Sequence, residues 1–76
     1  MNAPKVNQEV YIIVPNTRDF NLAKGNVTGC FEQSSAMGKY AFIVYTSLGC
    51  FYRYPCEMWE SVEDFIKDAR GFVIDY

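Results

Sequence analysis

The side chains that could carry chemistry in this chain are three cysteines, nine carboxylates and thirteen aromatic rings, and histidine is absent. The commonest general base and the commonest nitrogen ligand for metals are thereby removed. Ser-His-Asp and Cys-His constellations cannot be assembled. A structural zinc site takes four ligands, usually in close Cys/His pairs. Here Cys50 and Cys56 enclose Phe51 to Pro55, and only Cys30 is left to join them. Neither a metal nor a cofactor is expected, and the chain reads as a non-enzyme. A reactive thiol needs a nearby cation or helix N-terminus. Arg53 is close to two of the cysteines in sequence, but the default expectation for all three is a small, buried, apolar thiol.

The carboxylates cluster toward the C-terminus. Residues 1–53 carry five bases and three acids, whereas residues 54–76 carry two bases and six acids, for a net charge of −2. Glu60, Asp64 and Asp68 stand at i, i+4 spacing and would share one helix face, where like charges cost a few tenths of a kcal/mol, roughly, per pair. Acid–base work needs burial that drives two carboxyl pKa values apart. Nothing apolar separates these acids, so the face reads as solvated, or as a surface that meets a basic partner. A nucleic-acid binder shows the opposite balance, with Lys and Arg clustered on one face. The five glycines form no phosphate loop.

The aromatic residues are the strongest lead. Tyr40, Tyr45, Phe51, Tyr52, Tyr54 and Trp59, with Arg53, crowd one third of the chain. Tyr, Trp and Arg dominate interface hot spots because they bury much area for few rotamers. A chain of 76 residues buries only about 60% of its unfolded surface. A core that small cannot hold every ring, so some should face outward.

These side chains need elements to position them. Residues 39–54 hold two runs rich in Tyr, Phe, Ile and Val around Ser47-Leu48-Gly49, the pattern of a β-hairpin. Tyr40, Phe42, Val44 and Thr46 share one face of its first arm. Residues 1–8 read as a frayed arm with Val6 the first residue to pack, and residues 9–76 as a single β-rich domain. Residues 9–14 alternate Val10, Ile12 and Val14 with Tyr11 and Ile13, a strand covered on both sides. Residues 16–19 read as a turn. Residues 20–32 read as a bent strand whose phase changes across Lys24-Gly25, putting Val27, Gly29 and Phe31 on one face, the alternative being two short strands with a tight turn at Lys24-Gly25-Asn26. Residues 33–38 read as a loop. Ser61 caps a helix over 61–70, with Val62, Phe65, Ile66 and Ala69 as one buried stripe and Gly71 just past its end. Residues 72–76 read as a last strand.

The expected fold is therefore mainly β, α+β in detail, with about five strands in a strongly bent antiparallel sheet and one C-terminal helix. That element order resembles the SH3-like small barrels, which place a short helical turn between their fourth and fifth strands. Lys24-Gly25-Asn26-Val27 is similar to the Lys-Gly-x-Val turn of ribosomal and transcription-factor relatives, without their surrounding basic cluster. The Ala-Leu-Tyr-Asp-Tyr-type run of signalling SH3 domains is absent.

The composition and the rings together point to a non-catalytic protein-binding module, an inhibitor or adaptor docking on a larger protein machine. By analogy with other compact acidic domains it could be virus- or phage-encoded. Its partner-binding residues are expected to be Tyr52, Arg53, Tyr54, Trp59, Glu60 and Asp64. The alternative is a single-stranded nucleic-acid binder stacking bases on Tyr11, Tyr40, Phe42 and Tyr45 with help from Lys24, Lys39 and Arg53. A third reading is a homodimer or subunit joined through open sheet edges. An apolar leader is not visible at the N-terminus and no run reaches the ~20 apolar residues of a membrane span. With an odd number of cysteines, the expected setting is the reducing cytoplasm, with no membrane partner.

Overall fold

The computed structural model describes residues 3–15 and 20–73. Four antiparallel strands, β1 (Glu9–Pro15), β2 (Phe20–Ser35), β3 (Gly38–Thr46) and β4 (Gly49–Arg53), form one sheet in the order β1-β2-β3-β4. A single 3-10 turn follows at Pro55–Glu57, and then one helix, α1 (Val62–Val73). Among the described residues no helix is long and apolar enough to cross a membrane.

The alternation in β1 sets the core. Val10, Ile12 and Val14 are fully buried, while Tyr11 and Ile13 on the other face are half-buried. They meet Val27, Phe42 and Val44 from β2 and β3, with Met58 inserted from the segment after the 3-10 turn. Thr46, also buried, closes the β3–β4 hairpin: its hydroxyl donates to the Gly49 carbonyl and accepts from Leu48 N–H, both at 3.0 Å. Gly49 holds φ +127°, a conformation that favours glycine.

Strand β2 is one long bent strand, as its pattern predicts, but the phase change is elsewhere. Ala23 and Gly25 pair with Ile12 and Val10 and continue inward to Val27. The register shifts between Val27 and Gly29, so Thr28 is the extra residue and Phe31 emerges on the face opposite Val27. Gly25 does not bend the strand. Its hydrogen faces the core where a Cβ would lie 2.6 Å from the Tyr45 carbonyl oxygen.

Three further expectations are corrected. Residues 33–35 extend the ladder to Ser35↔Gly38, and only Ala36 and Met37 form the turn, where Met37 N–H donates to Ser35 Oγ at 3.0 Å. Among the described residues there is no fifth strand. Phe72 and Val73 continue α1 through Gly71, which is therefore not its cap, and residues 74–76 lie outside the described set. The buried stripe is not buried: Val62 and Ile66 are 43% and 49% exposed, and Phe65 is half-buried. Ser61 does cap the helix, its Oγ accepting from Asp64 N–H at 3.1 Å. The turn expected over residues 16–19 also lies outside the described residues.

Of the N-terminal arm, Val6 is exposed and Pro4 buried. Asn7 N–H donates to the Val27 carbonyl and Val27 N–H to the Gln8 carbonyl, so the residues before β1 already lie along β2. All three cysteines are free and exposed rather than buried.

Candidate functional site

A proline-terminated strand followed by a tight turn brings the chain back across the free edge of β1. Pro55 cannot extend β4 as a ladder donor. The 3-10 turn that follows is closed by Glu57 N–H on the Tyr54 carbonyl, and the Glu57 carboxylate reaches back to Tyr54 N–H at 2.9 Å. Met58 then plugs the core. Trp59 forms an isolated antiparallel bridge with Tyr11, with both backbone bonds made, at 2.7 and 3.0 Å.

That bridge fixes the indole beside Ile13 on the outer side of β1. The ring packs edge-on against Phe65 at 4.9 Å between centroids, and Nε1–H donates to Asp68 Oδ2 at 2.6 Å. Helix α1 is thus held to the sheet by an aromatic pair and one charge-assisted hydrogen bond. Between helix and strand lies an open groove of about 690 Å³ lined by Ile13, Cys56, Trp59, Phe65 and Asp68. A second hollow of about 380 Å³, lined by Ile13, Pro15, Arg53, Glu57 and Trp59, adjoins it through their shared Ile13 and Trp59.

Arg53 forms one wall of this second hollow. Its guanidinium lies over the Phe51 ring and donates to the carbonyls of Tyr52 at 2.8 Å and Ile13 at 3.0 Å. Tyr52 belongs to β4 and Ile13 to β1, the two outermost strands, so one side chain ties the two ends of the sheet together.

The six residues expected to bind a partner are only partly brought together. Arg53 and Trp59 both line the second hollow, which adjoins the groove. Tyr52 is 60% exposed but lies on the outer face of β4, where its ring meets Phe31 edge-on at 5.2 Å. Tyr54 is 8% exposed and its hydroxyl donates to the Gln33 carbonyl, so it braces the β2–β3 hairpin from inside. Glu60 and Asp64 are exposed at the entrance to α1 but do not line the groove. Of the acids, Asp68 lines the groove and Glu57 the adjoining hollow, and the apolar lining of the groove comes from Ile13 and Phe65. Spacing placed Asp68 only on an acidic helix face; the signal that could have joined it to Trp59 is an indole N–H that must find a partner.

The stacking residues of the nucleic-acid alternative are dispersed. Phe42 is in the core. Tyr11 is half-buried beside Trp59. Tyr40 and Tyr45 are exposed, but alternation along β3 sends them to opposite faces. Lys24 is paired with Glu9 at 3.7 Å, and Lys39 lies over the Tyr40 ring.

Comparisons with protein-family models, with curated proteins and with solved structures gave no match.

Proposed function

We propose that this is a non-catalytic binding module of the cytoplasm that docks on another protein through the Trp59 groove, as an inhibitor or adaptor of a larger machine. The observation that carries the reading is the composition of that groove. A rigidly bridged Trp59 and two apolar walls are flanked by the carboxylates of Glu57 and Asp68. Aromatic anchors with few rotamers, set in a concave surface, are what hot spots are made of. Each carboxylate uses one oxygen internally and carries a second acceptor. The chemistry suits a partner segment that offers an apolar side chain to Trp59 and a basic one to the acids.

The same reading covers the fold. The Arg53 tie between outer strands, the 3-10 turn after β4 and the Trp59 bridge to β1 support an SH3-like small barrel closed by a single bridging residue where a fifth strand would stand.

An unbiased displayed-peptide library panned on the intact protein tests this. Enriched peptides should carry Lys or Arg beside an aromatic or aliphatic residue, and Trp59→Ala should abolish their binding. No enrichment, or binding indifferent to Trp59→Ala, refutes the groove. Oligonucleotides that bind in its place with a steep salt dependence would refute the protein-binding reading as well.

A further inference from the structure

The chain's return across the free edge of β1 covers that edge only in part. Tyr11 gives both its backbone groups to Trp59, so every second residue of β1 turns its N–H and C=O away from β2. Ile13 is the next such residue, and on that edge its carbonyl accepts from Arg53 at 3.0 Å. Its N–H has no partner among the described residues. The antiparallel register set by Tyr11 and Trp59 would bring Glu57 opposite Ile13. Glu57 is instead the last residue of the 3-10 turn, so no described residue fills the ladder position opposite Ile13. Pro15, the next outward residue, has no N–H to offer.

Around that position lies the hollow of about 380 Å³ lined by Ile13, Pro15, Arg53, Glu57 and Trp59. Arg53 gives one N–H to the Tyr52 carbonyl and one to that of Ile13, and has further donors. Glu57 Oε2 accepts from Tyr54 N–H, and its second oxygen is a further acceptor. No ion pair joins Arg53 to Glu57 among the described residues. A lone anion in the hollow would therefore meet Glu57, and a lone cation would meet Arg53. A neutral, planar group with a donor on one edge and an acceptor on the other suits both. The trans peptide group is such a group.

We infer that this hollow takes one peptide group of a partner's extended main chain. The inference rests on the docking reading of the adjoining Trp59 groove and adds the conformation of the segment that docks there. The segment's C=O accepts from Ile13 N–H and Arg53, and its N–H donates to the second oxygen of Glu57. Trp59 borders both hollows, so a side chain of the same segment reaches the indole while the main chain passes Ile13. Strand addition at a sheet edge draws its affinity from such main-chain bonds. Here Trp59 on one side and Pro15 on the other limit the addition to a single peptide group. A helical segment, whose N–H and C=O groups are bonded internally, is refused.

Peptides enriched from the displayed library on the intact protein, acetylated and amidated so that neither end is charged, are the probe. In the free protein, Ile13 N–H should exchange with solvent far faster than Tyr11 N–H, which Trp59 holds. At saturating peptide, exchange at Ile13 should slow about tenfold or more, and its amide proton resonance should move downfield. N-methylation of the peptide, one backbone nitrogen at a time, should weaken binding about tenfold or more at one position beside the residue that fills the Trp59 groove, and little elsewhere. Protection of Ile13 N–H in the free protein overturns the inference. So does Trp59-dependent binding that leaves Ile13 unchanged and tolerates every N-methyl group, or that requires a free carboxylate end; in either case the Trp59 groove stands. Peptides that bind Trp59→Ala as well as the parent remove the groove reading and this inference together.

Discussion

Arg53 shows how far a residue's identity can be read without its surroundings. Its type and its neighbours, Tyr52 and Tyr54, mark it as an interface residue. The structure turns its donors onto two backbone carbonyls, those of Tyr52 and Ile13. Hydrogen bonds from a charged donor contribute about 1.5–3 kcal/mol each way they are tested. Arg53→Ala should lower stability in a urea melt by roughly 2 kcal/mol. Arg53→Lys should recover only part of it, because one ammonium cannot hold both carbonyls as a planar fork does. Equal stability of Arg53→Ala and the parent would show that the tie contributes nothing. Gly25 is the counterpart case. It reads as a bend, whereas its role is the space it leaves beside Tyr45 and Val44. Gly25→Ala should destabilise by about 1–3 kcal/mol through overpacking. Tyr54 and Trp59 were indistinguishable as rings in the sequence. What separates them, a hydroxyl aimed at Gln33 and an indole aimed at Asp68, depends on chain segments 21 and 9 residues away.

At the scale of elements, the local signals were legible and the long-range ones were not. The alternation of β1 and β3 sorts their residues onto two faces, because that is decided by single-residue periodicity, but does not say which face is buried: β1, read as covered on both sides, buries Val10, Ile12 and Val14 fully and Tyr11 and Ile13 only in part. Ser61 locates the start of α1 for the same reason, since a cap acts within one turn. The end of α1 was misread because Gly71-Phe72-Val73 carries both a stop signal and a β-rich run, and the helix continues through both. The phase of β2 was misread because its extra residue, Thr28, is defined by partners on β3 rather than by its own type. The apolar stripe of α1 was assumed to be covered by the sheet, and it meets the sheet at Phe65 alone among its described members. Full burial would make Phe65→Ala cost about 3–5 kcal/mol. Half-burial against Trp59 lowers the expectation to roughly 2 kcal/mol or less, with a red shift of Trp59 emission as the indole loses its cover. Ser61→Ala should cost α1 about 1 kcal/mol, seen as faster hydrogen exchange at residues 65–68 with the global melt nearly unchanged. An equal loss in exchange protection across β1 to β4 would show that helix and sheet unfold as one unit.

Taken whole, the molecule has its described core in the part of the chain that precedes α1. Among the described residues, the core cluster of Val10, Ile12, Val14, Val27, Phe42, Val44 and Met58 contains no residue of α1. Its last member arrives with the 3-10 turn, and Trp59 completes the β1 edge directly afterwards. The chain up to Glu60 therefore contains every fully buried side chain of the described core. A protein of this size has about 5 kcal/mol in hand. Among the described contacts, removing residues 61–76 forfeits the edge contact of Phe65 and the Asp68 bond, a loss of about 2–3 kcal/mol by the magnitudes of an aromatic pair and a charge-assisted bond. That leaves a folded remainder. Met58→Ala in the full chain opens a cavity in the centre of the cluster and should cost about 2–5 kcal/mol, enough to unfold much of the population. The truncated chain should thus melt cooperatively with its β-type circular dichroism intact, while Met58→Ala, with every residue of α1 present, should be the less stable of the two. The reverse order, with truncation abolishing the transition and Met58→Ala tolerated, would mean that α1 belongs to the core and that its exposed Val62 and Ile66 are not a free face.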